Sequence, residues 1–162
     1  MANLCIVILI ALPLAQAAIV FGDADQVTDF RAARIALNTL DEISRLPVLA
    51  IVILFSLPFL WGLLQLRGLF LCYAKGEIFS RTAARYLSRF ALALLLDALA
   101  TILQRTALVG FLTMHNPPGD RHFIISIGTP EINTAFIGII FMVIAWVLAE
   151  AATVAEEHRG FV

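Results

Sequence analysis

The sequence predicts an all-α integral membrane protein, a four-helix bundle with a short amphipathic helix in the first outer loop. Three observations support this fold class. Hydrophobic residues make up 61% of the chain and charged residues only 14%, whereas soluble domains have about half and a quarter. The mean hydropathy is +0.94. Four apolar runs, at about residues 2–21, 48–73, 90–114 and 135–154, each have the roughly 20 residues that a helix needs to cross a bilayer.

The size and charge of the chain limit its function classes. Its 162 residues leave no room for a second folded domain, so we expect a single transmembrane domain over residues 1–162. The formal net charge of −1 argues against a nucleic-acid partner, which requires a basic face. The cysteines and histidines lack metal-ligand spacing, and no nucleophile–base pair or phosphate loop is visible. The sequence therefore predicts no enzyme activity, no metal and no cofactor.

The first apolar run contains Pro13, which predicts a kink. It also contains Ala15-Gln16-Ala17, a pattern typical of a signal-peptidase site. No Lys or Arg precedes this pattern, and the apolar run continues to Phe21. We therefore expect a retained membrane span. The alternative is cleavage, which would leave three spans and place the mature N-terminus outside.

The first loop, residues 22–47, has an apolar residue at three- and four-residue steps, a period typical of an amphipathic helix. These residues are Val27, Phe30, Ala33, Leu37, Leu40 and Ile43. We expect this helix to lie on the outer membrane surface or to cap the bundle, with span two beginning after Pro47.

The second run is followed by the most basic part of the chain. We expect a helix to continue to Tyr73, Gly76 to end it and Ser80 to cap the next helix. Basic residues occur here at Arg67, Lys75, Arg81, Arg85 and Arg89, against the single acid Glu77. Because basic loops stay in the cytoplasm, the turn should lie inside, with both termini also inside. The four arginines suit anionic headgroups; the simpler interpretation is that they only enforce orientation.

The third run has a polar face, formed by Asp97, Thr101, Gln104 and Arg105 within about 100° of helical arc. Polar groups at membrane depth are candidate functional groups. Eight residues separate Asp97 and Arg105 by about 12 Å, too far for a direct bond. Thr101, Gln104 or a water would have to bridge them, or each would pair with another span. This face is either a structural brace or a working site.

The fourth run has small residues near one face, at Ala135, Gly138, Ala145, Ala149 and Ala152. Small residues let membrane helices approach closely, and we expect packing within the molecule rather than a dimer seam. Glu150 lies near the inner end of this run. If spans three and four are antiparallel, Glu150 would lie near the level of Asp97, where two carboxylates could share a proton or hold a cation. The simpler interpretation is that Glu150 is solvated.

Several short stretches of the chain form a recognisable combination. They are Leu66-Arg67-Gly68-Leu69-Phe70, Tyr73-Ala74-Lys75-Gly76-Glu77-Ile78-Phe79-Ser80, Asn116-Pro117-Pro118-Gly119-Asp120-Arg121 and residues 145–152 with Ala155-Glu156-Glu157 and Phe161-Val162. Together they resemble one bacterial family of small multi-pass inner-membrane proteins, domain of unknown function 2975. The resemblance implies four membrane helices and a cytoplasmic turn that contains Tyr73, Lys75, Gly76, Glu77 and Phe79. It brings no activity with it, although some relatives are encoded beside a small helix-turn-helix regulator.

These observations predict a non-enzymatic bacterial inner-membrane protein that binds or regulates through its cytoplasmic basic turn and acidic tail. Its partners would be the lipid bilayer and a membrane or cytoplasmic protein. One alternative is a small transporter or ion-conducting oligomer that uses Asp97, Gln104, Arg105 and Glu150. Another is an accessory subunit of a larger membrane complex. The sequence leaves the oligomeric state, any ligand and the partner open.

Overall fold

A computed structural model of the protein describes residues 2–21, 42–78, 80–113 and 128–159. These residues form four helices: α1 (Ala2–Phe21), α2 (Glu42–Ala74), α3 (Arg81–Thr113) and α4 (Thr129–Arg159). No strand occurs in the described ranges. The predicted all-α helix bundle is therefore confirmed. The amphipathic helix predicted in the first loop lies outside the described residues, apart from its last positions, which belong to α2.

Three stretches are long and apolar enough to cross a membrane. They are Leu46–Ala74 in α2, Arg81–Leu108 in α3 and Thr129–Ala155 in α4, and Cys5–Ala15 in α1 is a shorter apolar helix. The surface of the described helices is also apolar: Val7, Leu54, Phe136 and Trp146 are all more than half exposed. A water-soluble protein does not expose so much continuous apolar surface, so the protein is a membrane protein.

The helices extend beyond the apolar runs. Helix α2 begins at Glu42, so Pro47 lies inside the helix instead of ahead of it, as does Pro58. Helix α3 begins at Arg81 and α4 at Thr129, both earlier than the apolar runs at 90 and 135. The reason is physical: an apolar run marks the part of a helix suited to lipid, whereas the helix itself ends where its backbone groups are capped.

The turn between α2 and α3 is capped from both sides. Gly76 has a φ of +81°, the left-handed conformation that glycine adopts without strain. The Gly76 N–H donates to the Tyr73 carbonyl at 3.0 Å and the Glu77 N–H to the Cys72 carbonyl at 3.1 Å, which is the Schellman pattern of a helix end. Ser80 Oγ accepts from the Ala83 N–H at 3.1 Å, as an N-cap does. The predicted roles of Gly76 and Ser80 are confirmed.

The helices pack mainly in chain order, α1 on α2, α2 on α3 and α3 on α4. A core cluster joins the last three near the α2–α3 turn, with Leu69 and Cys72 from α2, Ala83 and Leu87 from α3 and Ala145 from α4. Alanines dominate the buried positions of α3, which has α2 on one side and α4 on the other. Small side chains permit this close double contact.

Three of the five small residues on this face of α4 are buried in the molecule, as predicted. Gly138, Ala145 and Ala152 are buried, and a Cβ built on Gly138 would lie 3.0 Å from Leu95 Cδ2. This face of α4 therefore packs against α3 at Gly138.

Helices α3 and α4 run antiparallel to each other. Near the turn, Ser88 Oγ donates to Met142 Sδ at 3.5 Å, and the Phe90 and Phe141 rings meet edge to face with centroids 5.5 Å apart. At the opposite end, Arg105 contacts Glu131. Residues of α3 near 97 therefore lie beside the N-terminal part of α4, far from Glu150.

Candidate functional site

A polar cleft lies among the first three helices. It has a volume of about 250 Å³ and is lined by Asp97, Thr101 and Gln104 of α3, Phe55, Ser56 and Phe59 of α2, and Leu12 of α1. The predicted polar face of α3 therefore turns at least three of its members toward a shared space between helices.

The hydroxyl groups in this cleft donate their protons to the backbone of their own helices. Thr101 Oγ1 donates to the Asp97 carbonyl at 2.9 Å, and Ser56 Oγ donates to the Val52 carbonyl at 2.7 Å. A hydroxyl oxygen that donates can still accept. The Asp97 carboxylate, the Gln104 amide and the Thr101 hydroxyl thus offer oxygen atoms of the kind that protons and hard cations prefer. The described residues contain no group of three His, Cys, Asp or Glu that could hold a metal ion.

Arg105, the fourth member of the predicted face, pairs with another helix. Its Nη2 lies 2.9 Å from Glu131 Oε1, and the Glu131 side chain is only 2% exposed. Glu131 Oε2 also accepts a hydrogen bond from the Gly128 N–H at 2.9 Å. Of the alternatives left open for Arg105, the structure supports a partner on another span.

Glu131 was not among the predicted polar groups, because it falls before the apolar run of α4. A signal was present in Gly128-Thr129-Pro130-Glu131. A proline in the first turn and a glutamate at the third helical position are typical of a helix N-terminus, where the glutamate reaches back to the N-cap amide. The carboxylate also lies at the positive end of the α4 dipole, which favours its charge.

Glu150 does not share a site with Asp97. Glu150 is exposed and borders a shallow apolar pocket on α4 with Trp146, Val147 and Val154. Its neighbour Ala149 lines a groove together with Arg81, and Arg81 precedes Asp97 by sixteen residues, or roughly 24 Å of helix. The alternative in which these two carboxylates share a site is therefore wrong, because α3 and α4 run antiparallel with Phe90 beside Phe141 and Arg105 beside Glu131. The exposed Glu150 agrees instead with the simpler interpretation of this residue.

The residues of the α2–α3 turn lie at the surface. Lys75, Gly76 and Glu77 are exposed, Tyr73 is 37% exposed and Ile78 is 49% exposed. Phe79 lies outside the described residues. The caps on both sides hold this short segment in one conformation.

The four predicted headgroup-facing arginines have different environments. Arg81, Arg85 and Arg89 are exposed, whereas Arg67 is half-buried. The Arg67 Nε is buried and makes no hydrogen bond within the described part of the chain. Arg81 and Arg85 line the groove between α3 and α4, but Arg89 does not.

Comparison with known protein families gives a match over most of the chain. A family model described as "Protein of unknown function (DUF2975)" matches residues 29–159, which include α2, α3 and α4, the turn and all the polar groups described above. No curated protein matches the chain, and no solved structure matches it. Because the family model covers most of the 162 residues, the chain belongs to this family of proteins of unknown function, as its resemblance in sequence predicted.

Proposed function

We propose that this chain is a non-enzymatic, multi-pass protein of the bacterial inner membrane that binds a membrane or cytoplasmic protein through its α2–α3 turn. The basic residues beside the turn, Lys75, Arg81, Arg85 and Arg89, support a cytoplasmic position for it. Both ends of the chain are then cytoplasmic as well.

The main support is the construction of the turn. Its backbone is fixed by the Schellman bonds after Cys72 and Tyr73 and by the Ser80 cap. A segment already held in one conformation loses little entropy when it binds. The turn also presents an apolar side chain, Ile78, next to the charged Lys75 and Glu77, all of them exposed. This combination suits a small docking surface with an apolar centre and a polar rim.

Site-specific photo-cross-linking in living cells tests this proposal. A photoreactive amino acid replaces Ile78 in one variant and Leu64 in the control. The two side chains are almost equally exposed, at 49% and 48%, but Leu64 lies within the apolar span of α2. We expect position 78 to give a discrete protein adduct and position 64 to give none. The Lys75→Glu substitution in the Ile78 variant should remove most of the adduct. A chain without any adduct at position 78, and always recovered alone after gentle extraction, would contradict the proposal.

A second candidate function is transport of a proton or small cation. The cleft around Asp97 supports it, because the cleft brings a carboxylate, an amide and a hydroxyl together at membrane depth. Its residues would be Asp97, Thr101 and Gln104, without Arg105, which pairs with Glu131, and without Glu150. Ion flux into proteoliposomes, with Asp97→Asn as the variant and Glu150→Gln as the control, tests it. If the parent protein conducts no ions, the transport hypothesis is wrong.

A further inference from the structure

A groove of about 630 Å³ runs between α3 and α4 at the turn end of the molecule. Its floor is formed by small side chains, with Ala84 3% exposed and Ala145 2% exposed. Arg81 and Arg85 stand on the α3 wall, while Ala149 and Met142 belong to the α4 wall. The volume is within the range of small-molecule sites.

The groove is charged at one end and apolar at the other. Arg81 is the first residue of α3, and Arg85 lies one helical turn further into the span. Beyond them the groove ends at Ser88 and Met142, where the serine hydroxyl donates to the methionine sulfur. Among the described residues that line the groove, none is acidic.

Helix α3 is long and apolar enough to cross a membrane, and in a crossing helix this gradient would run along the membrane normal. A phospholipid has the same gradient, with a phosphate at the membrane surface and acyl chains toward the middle. Guanidinium groups bind phosphate oxygens with two parallel hydrogen bonds. Trp146, 71% exposed at the side of the groove, has the amphipathic ring that is common at the headgroup level.

We propose that the groove binds one phospholipid with an anionic headgroup. Arg85, together with Arg81, holds the phosphate at the level of Ala149, and an acyl chain continues over Ala145 toward Ser88 and Met142. The α4 wall from Met142 to Thr153 is about 16 Å long, so the groove holds the headgroup and the first part of the acyl chain. This inference does not depend on the proposed protein partner, which would contact Ile78 on the turn.

Native mass spectrometry of the full-length protein in detergent tests this inference. Phosphatidylglycerol and zwitterionic phosphatidylcholine with identical acyl chains are titrated against the parent protein and three variants. Arg85→Gln removes one of the two positive charges in the groove, and Ala149→Leu fills part of the groove from its α4 wall. Arg89→Gln is the matched control, since Arg89 is an exposed arginine one turn further along α3 that does not line the groove.

We expect the parent protein to retain one phosphatidylglycerol in preference to phosphatidylcholine. Arg85→Gln should weaken phosphatidylglycerol binding about fivefold, which corresponds to about 1 kcal/mol for one cation at a membrane surface. Ala149→Leu should weaken binding of both lipids, whereas Arg89→Gln should change neither. Circular dichroism confirms that each variant keeps its helix content.

Three results would overturn the inference. One is equal retention of the two lipids by the parent protein. Another is an equal effect of Arg85→Gln and Arg89→Gln, because the charge would then act on the whole surface and not in the groove. The third is a dimer that excludes lipid and dissociates in Ala149→Leu, which would make the groove a contact between two copies of the chain.

Discussion

The buried Glu131 carboxylate connects two structural roles through its two oxygens. Oε2 accepts from the Gly128 N–H and so caps α4, while Oε1 faces the Arg105 guanidinium of α3. The arginine side chain is 27% exposed and the glutamate only 2%. Removing Arg105 would strongly destabilise the protein, because the buried Glu131 charge would be left without compensation.

Replacing Glu131 by glutamine tests the charge separately from the cap, because glutamine keeps an oxygen for the Gly128 amide. We expect Glu131→Gln to lower the free energy of unfolding by about 1 kcal/mol, because it removes the attraction to Arg105 but leaves no buried charge unpaired. Glu131→Ala should lower it by about 1 kcal/mol more, since alanine also removes the cap. The measurement is SDS-induced unfolding in mixed micelles, followed by circular dichroism.

The control for this prediction is Glu150→Gln, which neutralises an exposed carboxylate of the same helix and should cost less than about 0.5 kcal/mol. A double-mutant cycle with Arg105→Met isolates the pair itself and should give a coupling of about 1–2 kcal/mol. Equal losses for Glu131→Gln and Glu150→Gln would show that the ion pair contributes nothing.

Gly76 is a second residue with a specific physical requirement. Its φ is +81°, and a Cβ there would meet no atom within 4 Å. Substitution therefore introduces backbone strain without a clash. We expect Gly76→Ala to cost about 1 kcal/mol and Gly76→Asn less, because asparagine tolerates the left-handed conformation better.

The local readout for Gly76 is hydrogen exchange of the Glu77 amide, which donates to the Cys72 carbonyl across the turn. Its protection should fall in Gly76→Ala and fall less in Gly76→Asn. If alanine and asparagine behaved alike, left-handed strain would not be the cause.

At the scale of helices, α2 and α3 are in close contact at two glycines of α2. A Cβ added at Gly62 would lie 2.9 Å from the Ala93 Cβ, and one added at Gly68 would lie 2.6 Å from the Tyr86 ring. Ala93 has no rotamer that could relieve the contact, so the backbones would have to separate. The hydrophobic effect does not drive helices together within lipid, so close van der Waals packing of this kind stabilises their association instead.

A double-mutant cycle at Gly62 and Ala93 tests this packing. Alanine in a helix interior is intrinsically better than glycine by about 1 kcal/mol, but we expect Gly62→Ala to destabilise, because overpacking costs about 1–3 kcal/mol. Ala93→Gly should relieve the clash, so the double variant should be more stable than the sum of the single effects. SDS-induced unfolding measures all three. If Gly62→Ala alone stabilises the protein, the helices are not in tight contact there.

The helices and the turn could be predicted from the sequence. The apolar runs predicted the four helices, and Gly76 and Ser80 predicted the two ends of the turn, because each of these signals depends only on residues close in sequence. The register between α3 and α4 is not local. It depends on which side chains interlock, here Ser88 with Met142 and Phe90 with Phe141. For that reason the polar face of α3 was recognised, but the partner of Arg105 and the separation of Asp97 from Glu150 were not.

For the whole molecule, the placement of α1 bears on whether residues 1–17 are removed. Helix α1 packs along α2, Cys5 is buried, and Leu12 lines the cleft around Asp97. Cleavage after Ala17 would remove these contacts and open the cleft to lipid. We expect peptides that contain residues 1–17 to be recovered by mass spectrometry from the mature membrane protein. A form that begins after Ala17 would show that the first run is a signal peptide.

Orientation is the remaining property of the whole molecule. Cytoplasmic loops are richer in Lys and Arg because translocating these charges is unfavourable, and the α2–α3 turn has the greatest excess of them. In a background of Cys5→Ser and Cys72→Ser, we expect Lys75→Cys to resist a membrane-impermeant maleimide in intact spheroplasts and to react after lysis. Asp120→Cys, in the predicted third loop, should react in both. Labelling of Lys75→Cys without lysis would show the opposite topology, with the turn in the periplasm. The turn could then not bind a cytoplasmic partner.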